Sequence, residues 1–283
     1  MKILFYGNCQ MEAINQILNL NKNIYEIFSI ECFSTEIKEN DFNNIIKKSN
    51  LIITQMIHEN YRNKHYLSTK YILDNCNKKT NIIFINNLYF EYYYFDLKFI
   101  KKNNLFIQDP SLYHYNQLIE YYKGGYSIDY FINYVINVPD LISNDDLEKI
   151  ANENLNELEK RNNDIFELIK KFDKNIFIDI IDITNFIREN YKNKLLFYTF
   201  NHPTKILLQK MCEIILEKFP LENKMNYDID PFNWYKGIIY KCIQKHVHFN
   251  INECLPLLNN ETDVYKICEI YYNTYKSKLI QFD

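Results

Sequence analysis

Residues 2–18, KILFYGNCQMEAINQIL, decide the fold class. Residues 2–6 are apolar and aromatic and stop at Gly7, the pattern of a short buried strand. Ile14, Ile17 and Leu18 then recur at helical spacing, with Asn15, Gln16 and Asn19 between them. A strand that passes through a glycine into an amphipathic helix is the opening unit of a parallel sheet. The same alternation continues: residues 24–30, 51–57 and 82–85 read as strands, and 36–48 and 66–76 have helical length and pattern.

From Asp109 the character changes. Helical runs are broken by Gly124-Gly125 and stopped near Pro139, and the two glycines suit a tight turn or an anion-binding nest. Ser143 with Asp146 three residues on resembles a capping box. Leu147, Ile150, Ala151, Leu155 and Leu158 trace one helical face. A helix, or two helices divided by the polar EKRNND run at 159–164, extends to about Phe172. The sheet pattern returns at 176–181 and 195–200, and Ile206, Leu207, Met211, Ile214 and Ile215 mark a helix reaching Phe219, with Pro203 at its first position. Beyond Pro220 the chain is polar, then helical again from about Pro231. The expected fold is a helix-rich α/β protein: a small, mainly parallel sheet lobe (1–110 plus 176–220) and a second, mostly helical lobe (111–175 plus 221–283).

Composition excludes several classes. A chain of 283 residues, 47% apolar and 24% charged, is an ordinary globular protein. Its 33 basic and 36 acidic side chains leave a net charge of −3 and no global field to gather nucleic acid. Seven cysteines without a Cys-x-x-Cys pair argue for reduced thiols in a cytoplasmic protein. No run approaches the roughly 20 apolar residues of a membrane-spanning helix. The 25 tyrosines and 20 phenylalanines match the drift of an AT-rich coding sequence and are not read as a binding code.

Chemistry concentrates at two turns. Gly7-Asn8-Cys9-Gln10 lies at a strand-to-helix junction, where open α/β sheets bind ligands. Free N–H groups and aligned peptide dipoles at a helix start lower a thiol pKa, while Glu12 in the same turn opposes this. Cys9 is a candidate nucleophile or polariser; a buried structural cysteine is the alternative. Thr199-Phe200-Asn201-His202-Pro203 is the second turn. His202 can serve as a base for Cys9 or for a substrate hydroxyl, or it can be a satisfied structural histidine. Neighbouring strands of one sheet would bring the two turns together. Gln55, Asn86 and Asn87 close strands and can offer amides to an oxyanion or simply tie loops. Arg62, Lys64 and His65 form the best small basic cluster for a phosphate. Cys242, His246, His248 and Cys254 match no strong zinc signature, and no metal is expected. Walker A, Gly-x-Gly-x-x-Gly and Gly-x-Ser-x-Gly patterns are absent from the sequence.

Taken together, ILFYGNCQ (3–10), LIITQMI (51–57), INNLYFEYYYFD (85–96), YHYNQLIEYYKGGYSID (113–129) and LLFYTFNHPTKILLQKMCEIILEKF (195–219) resemble the WcbI family of capsular-polysaccharide biosynthesis proteins. The resemblance covers residues 1–220. It implies a two-lobed protein that binds coenzyme A in a cleft and acetylates a sugar, and it carries over to Asn8, Cys9, Gln10, Gln55, Asn87, Asn201 and His202. The chain departs from the family pattern at Asn86, which replaces a proline, and at Tyr92 and Phe95, which replace a glycine and a proline. The expected activity is therefore acetyl-CoA-dependent O-acyl transfer to a sugar, nucleotide-sugar or polysaccharide acceptor. Cys9 and His202 would be catalytic, with Asn8, Gln10, Gln55, Arg62, Lys64, Asn87 and Asn201 binding coenzyme A. Two rivals stand beside it: an esterase of SGNH-like topology with Cys9 as nucleophile, and a non-catalytic coenzyme A- or thiol-dependent binding protein.

Overall fold

The structure, a computed structural model, describes residues 1–34, 36–102, 105–172 and 177–278, so that Ile176, the expected start of a strand, lies outside the described residues. The chain forms two compact units. The first comprises Met1–Leu88, Asn156–Arg188 and Lys205–Pro231; the second comprises Tyr89–Leu155, Glu189–Thr204 and residues 232–283.

The first unit is built on five parallel strands. β1 (Lys2–Gly7) pairs with β2 (Glu26–Glu31) on one side and β3 (Leu51–Thr54) on the other, β3 pairs with β4 (Asn81–Ile85), and β4 with Ile178–Ile181. The spatial order is therefore 2-1-3-4 followed by the 178–181 strand. Chain direction across the sheet reverses between β1 and β3, and a crevice opens at that switch point beyond the carboxyl ends of the strands. The residues after β1 and β3, Asn8-Cys9 and Gln55, fall at this place.

Continuous apolar strands are required because both faces are covered. Leu4, Tyr6, Ile52, Ile82 and Phe84 pack with Phe42 and Ile46 of α2 (Glu39–Lys48), Ile72 and Leu73 of α3 (Thr69–Asn75), and Ile165. The alternate residues Ile3, Phe5, Ile53 and Ile83 are buried on the other face, and α1 (Cys9–Leu18) packs against the helix Lys205–Lys218. Burial of each such side chain contributes on the order of 2 kcal/mol. Strand and helix ends differ from expectation by a few residues; α3 starts at Thr69 because the Ser68 hydroxyl caps it by accepting from the Tyr71 N–H at 3.1 Å.

The polar run at 159–164 does not interrupt its helix. Asn144–Ile169 is continuous. Glu, Lys and Arg are good helix formers, so a polar stripe marks a face rather than a break. Asn86 Nδ2 donates to the Leu158 carbonyl (3.0 Å) and to Asn162 Oδ1 (2.7 Å), so Asn86 clips the end of β4 to this helix. Ser143 caps the helix as expected, its Oγ accepting from the Asp146 N–H at 3.1 Å; the Asp146 carboxylate answers by accepting from that hydroxyl at 2.6 Å.

The second unit is not mostly helical: helices alternate with long irregular stretches and with two- and three-residue antiparallel pairings. Its helices include Asn116–Lys123, the start of Asn144–Ile169, and Val264–Lys278. The helix expected from about Pro231 is delayed; the chain is irregular up to the short helix Lys241–Gln244. Here the tyrosines are structural. Phe90, Tyr92, Tyr93, Tyr113, Tyr115 and Tyr271 are fully buried. Most of their hydroxyls find partners: Tyr93 donates to the Tyr191 carbonyl at 2.5 Å and Tyr271 to the Tyr113 carbonyl at 2.7 Å. Asp96 caps the 116–123 helix by accepting from the Gln117 N–H at 3.0 Å, and it accepts from the Tyr240 hydroxyl at 2.7 Å. Burial pushes its carboxyl up to about 6. Among the described residues no helix is long and apolar enough to cross a membrane.

Candidate functional site

The Cys9 turn is held by amides. A Cβ on Gly7 would lie 2.5 Å from Met11 Cγ and 2.6 Å from Gln55 Oε1, so only glycine admits the Gln55 side chain here. Gln55 Oε1 accepts from the Asn8 N–H at 2.8 Å, and Gln55 Nε2 donates to Gln10 Oε1 at 3.3 Å. Gln10 in turn binds both backbone groups of Leu88, accepting at 3.0 Å and donating at 2.9 Å. Asn8 Oδ1 caps α1 by accepting from the Gln10 N–H at 2.9 Å, and its Nδ2 donates to Asn87 Oδ1 at 2.7 Å. Asn8, Gln10, Gln55 and Asn87 thus form one network around Cys9. The Gln10 and Gln55 amides are engaged at both ends in shaping the turn.

Cys9 occupies the first position of α1. Contrary to the helix-start expectation, its thiol is pushed up to about 11 by burial and by the Glu31 carboxylate, against smaller opposing effects of the Cys9 and Gln10 N–H groups. Removing a thiolate from water outweighs two backbone donors. Glu12, the expected opponent, is instead engaged with the Ser29 hydroxyl and with Gln16 Nε2 at 3.2 Å.

Beside this turn lies a cavity of about 540 Å3, lined by Asn8, Gln55 and Asn87 and, across from them, by His58, Lys160 and Arg161. Cys9 is not among its lining residues; Cys32, at the end of β2, is. Arg161 donates to the Asn87 carbonyl at 2.8 Å and pairs with Glu157 at 3.1 Å. Arg62 and Lys64 are not in this wall: Arg62 donates to the Phe33 carbonyl at 2.7 Å and Lys64 sits over the Tyr66 ring at 5.8 Å. Lys160 and Arg161 lie in the polar run 159–164, which in the sequence alone reads as a helix break and so hides them. An unbroken helical period from Leu158 to Ile165 was the signal available.

The second turn belongs to the second unit and is a hairpin. Phe197–Thr199 pairs antiparallel with His202–Pro203 in a two-stranded sheet of their own. Pro203 is paired opposite Phe197 and does not open the helix, which starts at Lys205. Thr199 Oγ1 accepts from the His202 N–H at 3.1 Å and donates to Asn201 Oδ1 at 3.0 Å. The Tyr113 hydroxyl lies 2.7 Å from Asn201 Oδ1 and 3.0 Å from His202 Nε2. His202 is 6% exposed, its imidazole stacks on Phe232, and its Nδ1 is buried without a partner. Burial lowers its pKa to about 4, so the ring is neutral at pH 7.

Gly124 ends the 116–123 helix and Gly125 takes a positive φ of 73°, and the N–H groups of Gly124, Gly125 and Tyr126 bond back to the Glu120, Tyr122 and Tyr121 carbonyls, so the pair makes a turn and offers no anion nest. Among the described residues no group of three His, Cys, Asp or Glu side chains could hold a metal ion.

A parallel sheet with a cysteine turn at its switch point defines an α/β protein with a candidate site at the carboxyl ends of its strands. A family model described as polysaccharide biosynthesis enzyme WcbI matches residues 2–224, and the chain belongs to that family. It is similar, at 18% identity and a TM-score of 0.76 over 98% of this chain and 90% of the other, to a solved structure of WcbI, described as a novel polysaccharide biosynthesis enzyme. That structure is described as the native protein without a disulfide bond between coenzyme A and one of its cysteines. No curated protein matches the chain by sequence.

Proposed function

We propose that this polysaccharide biosynthesis enzyme transfers an acyl group, acetyl in the simplest case, from coenzyme A to a hydroxyl of a capsular or surface sugar or its nucleotide-linked precursor. The observation that carries the reading is Cys9 at the switch point of a WcbI-family sheet, taken with the coenzyme A and cysteine named for the solved relative. The Asn8, Gln10, Gln55 and Asn87 network holds the turn and takes up the Asn8 and Gln10 N–H groups, so the Cys9 N–H is the backbone donor offered to a developing oxyanion. Lys160 and Arg161 are the cations proposed to meet coenzyme A phosphates.

A thiol pushed up to about 11 is protonated at neutral pH, and this supports direct transfer over an acyl-enzyme. The sugar oxygen attacks the thioester carbonyl and gives up its proton to a base. The carbon–sulfur bond then breaks and the coenzyme A thiolate takes that proton, leaving ester and thiol. Cys9 acts as a polariser.

Coenzyme A at 100 times its dissociation constant is expected to add roughly 2.7 kcal/mol to native stability, read as a rise in the thermal midpoint. No rise at saturation sinks the proposal. Intact-mass measurement after brief incubation with acetyl-CoA separates the routes: an acetyl adduct on Cys9 under single turnover replaces direct transfer by the covalent path.

A further inference from the structure

The hydrogen bonds around His202 fix which of its nitrogens carries the proton. Thr199 Oγ1 already accepts from backbone N–H groups, so its own hydrogen goes to Asn201 Oδ1. Tyr113 donates to the same carboxamide oxygen, which can only accept. The Tyr113 oxygen is then left to accept at 3.0 Å from His202 Nε2–H. A neutral ring has one N–H, so Nδ1 holds a lone pair, and that atom is buried with no donor opposite it. A buried, unpaired acceptor costs stability, and such groups call for a functional explanation.

The surroundings supply one. Phe232 covers a face of the imidazole at 4.4 Å and an interplanar angle of 6°. Trp234, the chain's single tryptophan, lies 5.4 Å from the imidazole at 64° and is 59% exposed. An indole that remains so wet is not placed there by burial. Both side chains come after residue 224, where the family match ends.

We propose that Trp234 and His202 form a saccharide subsite: the C–H face of a pyranose packs on the exposed indole, and a hydroxyl of that ring donates to His202 Nδ1. Tyr113 is a positioning residue that holds the Nε2–H tautomer. Binding in this subsite requires no acyl donor, and only the subsequent loss of the hydroxyl proton rests on the transfer reading above. An exposed indole beside one unpaired acceptor suits a ring that is apolar across its face and rich in donors at its rim.

Because Trp234 is the only indole, its fluorescence in the full chain reports the subsite directly. Titration with methyl glycosides of glucose, galactose, mannose and N-acetylglucosamine is expected to give a saturable change with at least one. By calorimetry, Trp234→Ala should weaken that glycoside about ten-fold and Trp234→Phe much less, a loss read from the change in dissociation constant. In 15N spectra, His202 should show the Nε2-protonated pattern, shifting toward a mixture of tautomers in Tyr113→Phe while the protein stays folded. Where transfer is measured, Trp234→Ala should raise the acceptor KM about ten-fold against a smaller change in kcat. No saturable change with any glycoside overturns the subsite, as does a change produced by adenosine or coenzyme A alone. Glycoside binding without acyl transfer upholds it and sinks the transfer reading.

Discussion

The Cys9 and His202 turns are alike in sequence and unlike in structure. Each has a short apolar run, a polar tripeptide and an amphipathic helix. After Gly7 the chain enters its helix at once, at Cys9, because β1 is gripped by β2 and β3 on both sides and the amides of Gln55 and Gln10 fill the turn. After Thr199 the chain doubles back, Thr199 opposite His202 and Phe197 opposite Pro203, before a helix begins at Lys205. Local pattern announces a turn; the available hydrogen-bond partners decide its kind. The electrostatics teach a matching lesson. Burial moves the thiol up to about 11 and the imidazole down to about 4, opposite directions with one result, two neutral side chains at pH 7.

The comparison can be broken first by kinetics. With acetyl-CoA and an accepted sugar, His202→Gln should lower kcat/KM by roughly 10²–10⁴-fold, the usual effect of removing a general base. Cys9→Ser should lower it by only about ten-fold if the thiol merely polarises. The reverse ranking would make Cys9 the nucleophile and its neutrality a property of the resting enzyme alone.

The next effect is on stability against pH. With His202 lowered from 6.5 to about 4, the unfolded chain takes up the proton first, so its contribution is complete above about 6.5 and is lost on acidification toward 4. Asp96 is raised from 3.8 to about 6, so the native state binds the proton more tightly and stability falls as pH rises through the same window. At about 1.4 kcal/mol per unit each amounts to about 3 kcal/mol, and the two largely cancel. Denaturant titrations between about pH 4 and 6.5 should therefore separate them. Asp96→Asn is expected to leave stability rising with pH, and His202→Gln to leave it falling. Equal slopes in the two variants would refute the assignment.

The smallest effect concerns the glycine that distinguishes the first turn. Gly7→Ala should destabilise by about 2 kcal/mol, since the new methyl group meets Met11 and Gln55 at 2.5 and 2.6 Å. Urea denaturation measures it; an unchanged midpoint would show that Gln55 can leave Asn8 at no cost.

Legibility followed the range of the interactions. The strands of the parallel sheet were readable because both faces are buried and the apolar runs are continuous, as in Ile3–Tyr6 and Ile82–Ile85. The amides of Asn8, Gln10, Gln55 and Asn87 could be picked out as polar residues at strand ends, but their mutual bonding could not. Arg161 was hidden for another reason: its neighbours are helix formers whose polarity imitates a break. Tyr113 and Trp234, which bracket His202, lie 89 residues before it and 32 after it along the chain, and no local pattern connects them.

By itself the sequence determined an alternating α/β frame, a cysteine at a strand-to-helix junction, and membership of the WcbI family, since periodicity, glycine placement and short motifs are local properties. Tertiary structure alone decided that the Asn-His-Pro turn is a hairpin, that Lys160 and Arg161 wall a cavity with the Asn8 amide, and that both candidate side chains are neutral. The physical reason is that strand partners, desolvation and hydrogen-bond acceptors are supplied by residues distant in the chain, and their free energies exist only after the fold has brought those residues into contact.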